Sequence, residues 1–319
     1  QVKDNSTNQI DTENNEGDLN LNWNVNSKNN LLAGVTYLKS DFKSNDVKDK
    51  KQSIDSTGYY VQHQYKTDKL STQVGVRTED NELFGTHTIG QGAVRYQVLP
   101  ETSIYANIGS AFKAPSLTEL YYFSEKSYGN TYGNPDLKPE ESISYEIGVD
   151  QRIGQNLNAF LSAYHTEIKN LISYKPSKPN STYINIDKAE INGGELGLKW
   201  KKDDLFLNTE YAYVDSKDKK TDLRIAYKPK QTLTLTTGLE NSIYGISASL
   251  IARSDIYADP ANKVKAPGYA TVDLNMYWNI NPNIKVFSNI ENMGDVEYRT
   301  ADNFGDGWYV NGGRHASVG

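Results

Sequence analysis

The residues able to carry chemistry are few and dispersed. Glu140-Glu141 and Asp203-Asp204 are adjacent carboxylates of the type used in general acid–base work. Neighbouring residues on a strand point to opposite faces, so neither pair converges on one reacting atom; both read as solvated turn charges. The four histidines, His63, His87, His165 and His315, lie on separate segments. A metal site needs them clustered with carboxylates or thiolates, and the chain has no cysteine. DSKDKKTD (Asp215 to Asp222) has too few carboxylates at EF-hand spacing to hold calcium. No GxSxG, HExxH, P-loop or Rossmann pattern occurs. The chain reads as a non-enzyme without a resident cofactor or metal. What it does hold is 23 tyrosines, whose rings and hydroxyls suit non-covalent binding.

The elements that would position such residues are strands. In DLNLNWNV, Leu19, Leu21, Trp23 and Val25 alternate with Asn20, Asn22 and Asn24, the period-two pattern of a strand with one apolar face. The pattern is clear again in Leu233, Leu235 and Leu239, in Ile246, Ala248 and Leu250, and from Ala270 to Trp278. About fifteen strand-like segments can be counted. Most are long enough to cross a bilayer at a tilt, which takes about 9–11 residues. Their connections alternate in length. Short ones fall near residues 27, 67, 100, 155, 203, 242 and 282, and long ones near 48, 82, 126, 178, 220, 260 and 303. Antiparallel strands then gather short turns on one rim and long loops on the other, as outer-membrane barrels do.

Composition agrees. Hydrophobic content is 37%, mean hydropathy −0.69 and net charge −6. The low hydropathy disfavours a helical membrane protein but not a barrel, whose strands expose only every second residue to lipid. No apolar run of helix-spanning length occurs, and the acidic balance disfavours nucleic acid. Gln1 to Gly17 is polar and Asn-rich rather than a signal peptide. Trp23, Tyr65, Tyr96, Trp200, Tyr213, Tyr244 and Trp278 are candidates for interfacial girdles.

The longest irregular stretch, Ala111 to Glu141, carries FKAP (Phe112 to Pro115) and NPDLKPE (Asn134 to Glu140). These two boxes, in this order, resemble the barrel of TonB-dependent outer-membrane receptors. The closing segment also resembles that family, through Asn292, Asp295, Tyr298 and Gly313-Arg314, with Met293-Gly294 departing from the usual Leu-Phe. Within the family the likeness is greatest to cobalamin receptors. It is carried by RTEDNELFGTH (Arg77 to His87), YGNPDLKPEES (Tyr132 to Ser142), the pair TEIKNLISY and YINIDKAEINGGELG, and YAYVDSKDKKTD (Tyr211 to Asp222). Haem receptors of the family place a histidine between the two boxes; none lies between Phe112 and Pro135 here.

The resemblance implies an all-β antiparallel transmembrane barrel. About 15 strands of a family barrel of about 22 would be present, and residues 1–319 would form its C-terminal part without the plug. Extracellular loops are expected near 41–55, 111–141, 215–228, 254–266 and 292–313. It implies active import of cobalamin across the outer membrane of a Gram-negative bacterium. A TonB-type protein acting on the plug supplies the energy, and any calcium lies in loops outside this chain. Expected ligand contacts are Arg224, Tyr227, Tyr257, Tyr121 and Tyr122. Expected partners are cobalamin or another large chelate, outer-membrane lipid and lipopolysaccharide, with phage or colicin as further ones. Three other readings stand beside it: a ferric-siderophore receptor, a passive porin or adhesin, and a soluble β-protein with the same alternation.

Overall fold

Period-two segments become ladders wherever a turn residue lets the chain reverse. In a computed structural model describing residues 10–44, 51–126, 129–177, 179–302 and 308–319, β1 (Ile10–Asn26) pairs antiparallel with β2 (Asn29–Ser44). Asn26 closes their turn by accepting the amides of Lys28 and Asn29 on its Oδ1, the side-chain mimicry that makes asparagine a turn residue. β3 (Lys51–Lys66) and β4 (Leu70–Asn81) continue the ladder. β5 (Gly85–Leu99) and β6 (Thr102–Lys113) follow. The excursion after β6 holds a short helix, α1 (Leu117–Tyr121), and the hairpin of β7 (Phe123–Lys126) with β8 (Gly129–Tyr132).

Long strands resume with β9 (Glu140–Ile153), β10 (Leu157–Lys175), β11 (Asn180–Lys202) and β12 (Leu205–Asp218). They continue with β13 (Gln231–Glu240) and β14 (Tyr244–Arg253). A two-residue hairpin, β15 (Ile256–Tyr257) with β16 (Lys265–Ala266), precedes β17 (Tyr269–Asn281) and β18 (Ile284–Glu291). A second small hairpin, β19 (Arg299–Asp302) with β20 (Trp308–Val310), precedes β21 (His315–Val318). Among the described residues, seventeen strands belong to one hydrogen-bonded sheet. Within it β8 runs parallel to β11 at Asn130–Tyr132.

The chain divides into two compact units. One comprises residues 1–95, 107–145 and 166–189, the other 96–106, 146–165 and 190–319. In the first, Leu19, Leu21, Trp23, Val74 and Val76 are exposed, Leu19 by 74%. Their neighbours on the opposite face build a polar lattice: the Tyr60 hydroxyl on Asp18, and Arg77 on Thr36 and Glu79. In the second, Ile104, Ile147, Ile246, Trp278 and Val286 are exposed, while Tyr105 donates to Glu146. A water-soluble sheet packs its apolar face into a core; here that face is the accessible one, as in a barrel surrounded by lipid. Of the girdle candidates, Trp23, Tyr96, Tyr213, Tyr244 and Trp278 are exposed, whereas Tyr65 and Trp200 are half-buried.

The seven short turns lie where the sequence places them. Several expected long loops are shorter. Asp41–Ser44 and Lys51–Asp55 extend β2 and β3, with Phe42 1% exposed and Ile54 buried; the backbone ladder holds these polar residues in strand. Residues 45–50, within the expected 41–55 loop, lie outside the described ones, as do 303–307 within 292–313. The connection after β4 is three residues, Glu82 to Phe84, capped by Asn81 Oδ1 on the amides of Leu83 and Phe84. Asp215–Asp218 completes β12 instead of starting a loop, because its backbone pairs with the returning segment: Asp218 N–H donates to Leu223 O and Ser216 O accepts Ile225 N–H.

Candidate functional site

Three of the five expected ligand residues meet in the second unit. Arg224 lies in the segment between β12 and β13, Tyr257 on β15, thirty-odd positions apart. The Arg224 guanidinium sits 5.2 Å from the Tyr257 ring centroid. Lys265 Nζ approaches the same ring at 5.2 Å. Cations are drawn to the negative face of an aromatic ring, so the tyrosine is held by two. Asp255 bridges them, with Oδ2 3.0 Å from Lys265 Nζ and 3.8 Å from Arg224 Nη1. The Lys265 hydrogen bond, then the field of Lys265 and of Arg224, holds the Asp255 carboxyl below the usual carboxylate range despite partial burial. Lys230, beside Asp215, is held above the ordinary lysine value by that hydrogen bond.

The backbone fastens the same two segments together. Tyr227 N–H donates to Tyr257 O at 2.8 Å. Arg224 N–H donates to Asn262 Oδ1 at 2.8 Å, and Asn262 Nδ2 returns a bond to Arg224 O at 2.9 Å. Tyr227 has φ 64°, a left-handed conformation that costs energy for a bulky residue. Its side chain is 44% exposed. The result is a braced pair of loops presenting one exposed tyrosine beside a largely buried guanidinium and a half-buried second ring.

Tyr121 and Tyr122 occupy the first unit. Ser116 caps α1 with a reciprocal Glu119 bond, the capping box that satisfies two orphan donors. Leu117 and Leu120 turn into a small core with Phe42, Ile54 and Leu137, against which Tyr121 packs. Tyr122 ends the helix, donating to Thr118 O and accepting from Gly133 N–H. A Cβ on Gly133 would stand 2.6 Å from the Leu120 carbonyl, so this close approach requires glycine. The two boxes meet here: Lys113 lies 3.3 Å from Glu140 and 3.8 Å from Glu119. Glu140 also accepts the Ile172 amide at 3.0 Å, so it is a tied structural acid and not a solvated turn charge. Beside α1 lies a cleft of about 410 Å³ of mixed lining, with Asn14, Ser40, Glu79 and Thr118 among its polar residues and Ile54 and Leu117 among its apolar ones.

The histidines stay apart. His63 bonds Asn29, His165 bonds Asn192, and His87 stacks on Phe112 at 3.8 Å. Among the described residues no group of three or more His, Cys, Asp or Glu could hold a metal. Asp203 and Asp204 form the β11–β12 turn, Asp203 at φ 52°. Sequence reasoning passed over Asp255, Asn262 and Lys265. Their role depends on which loop faces which, and the only local signal is ADPAN, a turn-forming run before Lys263.

Comparison with known proteins fits this architecture. The family described as TonB dependent receptor-like, beta-barrel, matches residues 1–293. A vitamin B12 transporter BtuB of Photobacterium profundum is 30% identical over 273 residues, which is 84% of this chain and 44% of that protein. Its counterpart in Vibrio vulnificus is 25% identical over 290 residues, 89% and 46% respectively. The chain thus spans less than half the length of the curated relatives it matches. The ferric enterobactin receptor PfeA of Pseudomonas aeruginosa, solved with enterobactin, superposes with a TM-score of 0.79 at 18% identity, over 98% of this chain and 54% of that one. Likeness at that identity speaks for the fold. The family is one of transporters and receptors of the Gram-negative outer membrane, not of enzymes, and works with a TonB-type partner on large chelates. Exposed apolar strand faces, the FKAP and NPDLKPE boxes locked by Lys113 and Glu140, and a match over most of the chain agree: it belongs to the TonB-dependent receptor-like β-barrel family.

Proposed function

We propose that this chain is the C-terminal part of an outer-membrane receptor that captures cobalamin and imports it with energy from a TonB-type periplasmic protein. The 30% identity to a vitamin B12 transporter across 84% of the chain carries this reading. On it, Arg224, Tyr227 and Tyr257 contact the ligand, with Tyr121 and Tyr122 as a second aromatic surface. A corrinoid presents a broad semi-polar face and amide side groups, which rings and a few donors suit. The barrel performs no bond chemistry. Its part is to hold the ligand while a plug, pulled from the periplasm, opens the way.

Titration of the full-length protein in detergent tests the reading. Cobalamin binding in the nanomolar range, weakened by Arg224→Met, is the expected result. A second reading, import of a ferric siderophore, stands beside it because a ferric enterobactin receptor shares the fold. Binding of an iron chelate with no response to cobalamin would replace the first reading by the second.

A further inference from the structure

Arg224 and Tyr227 belong to a segment tied on one side to β12, where Leu223 O accepts Asp218 N–H, Ile225 N–H donates to Ser216 O and Lys230 O accepts Val214 N–H. Between Asp218 and Gln231 the chain makes one isolated bridge, Lys217 to Arg224, and no strand. What fixes the Arg224 peptide itself is the neighbouring connection, residues 254–268. The central tie is one side chain. Asn262 takes the Arg224 N–H on Oδ1 and gives Nδ2 to the Arg224 carbonyl. A carboxamide has the donor and acceptor of a peptide group in the same geometry, so this side chain replaces a strand in pairing with the Arg224 peptide. Asn262 is itself anchored: its N–H donates to Asp259 O at 3.1 Å. Asp259 Oδ1 in turn accepts the amides of Lys263 and Val264 at 2.8 and 2.6 Å. The Asn262 backbone is left-handed, φ 56°, a conformation asparagine tolerates better than other side chains. The residue is half-buried, and both Arg224 bonds are partly screened from water.

We propose that Asn262 is a positioning residue: its side-chain amide clamps the Arg224 peptide and thereby holds the Arg224 guanidinium and the exposed Tyr227 ring in the ligand-receptive arrangement. The inference rests on the cobalamin reading for its ligand. The clamp itself does not. Without it, the Arg224 peptide loses both partners; the 219–230 segment keeps its backbone bonds to β12, but toward the 254–268 connection only the Tyr227-to-Tyr257 bond and side-chain contacts remain. A site populated in one molecule in ten binds with about tenfold weaker apparent affinity.

The discriminating variant is Asn262→Gly, because glycine adopts the positive φ freely and only the amide is lost. In the full-length protein without ligand, amide hydrogen exchange at Arg224 should accelerate about tenfold or more. Exchange at Ala258, bonded within its own hairpin to Val264, should stay unchanged. Cobalamin affinity should fall about tenfold, and Asn262→Asp, which keeps the acceptor but not the donor, should lie between. Unchanged Arg224 exchange in Asn262→Gly overturns the clamp. Accelerated exchange with unchanged affinity, while Arg224→Met weakens binding, overturns the positioning role and leaves the cobalamin reading intact. A wild-type protein that binds no cobalamin ends that reading and the ligand half of this inference, and the exchange result still decides the clamp.

Discussion

Two regions of the molecule solve one problem with different physics. The excursion between β6 and β9 and the loop pair 219–230 with 254–268 each hold irregular backbone in one arrangement. Each uses an asparagine clamp. Asn185 takes the Lys138 N–H and returns a bond to its carbonyl at 2.9 and 3.0 Å, as Asn262 does for Arg224. Behind the first clamp stands an apolar core of Phe42, Ile54, Leu117, Leu120 and Leu137. Behind the second stand ions and rings, with Ala258 and Ala266 the buried apolar residues of that segment. Burial of apolar surface is non-directional and is not screened by salt. Charge pairs at an exposed edge are directional, screened and readily exchanged for a ligand's own groups. The first region is built to stay, the second to respond.

Substitutions can break this contrast in order of size. Leu120→Ala removes a side chain 2% exposed in the small core, and truncation of a buried leucine costs about 2–5 kcal/mol. Limited proteolysis should then cut residues 115–137 while leaving 254–268 intact; equal protection in both would deny the core its role. Gly133→Ala should come next, at about 1–3 kcal/mol for forced overpacking. The added carbon meets the Leu120 carbonyl, and the same proteolysis reads it.

The two clamps sharpen the comparison further. Asn185→Ala should change local exchange less than Asn262→Gly does, because the core holds the excursion when the amide pair is gone. A larger effect at Asn185 would reverse the assignment of core and clamp. Smallest is Asp255→Asn. The Asp255 pKa is depressed, so its contribution is full above the ordinary carboxylate value near 4 and is lost as pH falls through the lower folded value. The side chain is 41% exposed, which limits the effect to below about 1 kcal/mol. Protection from exchange in 254–268, corrected for intrinsic rates, should therefore fall in the wild type as pH drops into the acid range, and salt should lower it at neutral pH. Asp255→Asn should already show the lower protection at neutral pH and respond to neither. Protection independent of pH in the wild type would remove Asp255 from the loop pair's support.

Much of the fold was legible because strand alternation is a local property. Leu19, Leu21 and Trp23 declare one face within a few residues, and Asn26, Pro100 and Pro282 declare the reversals. Strand ends were less legible. Lys51 to Asp55 is polar, yet its backbone ladder to β2 keeps it extended, and nothing in its side chains announces that. The candidate residues Arg224, Tyr227 and Tyr257 could be named from resemblance, but their mutual contact could not, since it joins two loops separated by two full strands.

By itself the sequence determined an all-β chain with one apolar and one polar face per strand, short reversals and two family boxes, because each of these depends on neighbours within about ten residues. Only the tertiary structure decided that Glu140 is tied to Lys113 and Ile172, that Tyr121 leans on a core, and that Asn262 holds Arg224. Those contacts are made by side chains distant along the chain. Their partners are chosen by which strands lie beside which, and no local pattern of residues encodes that.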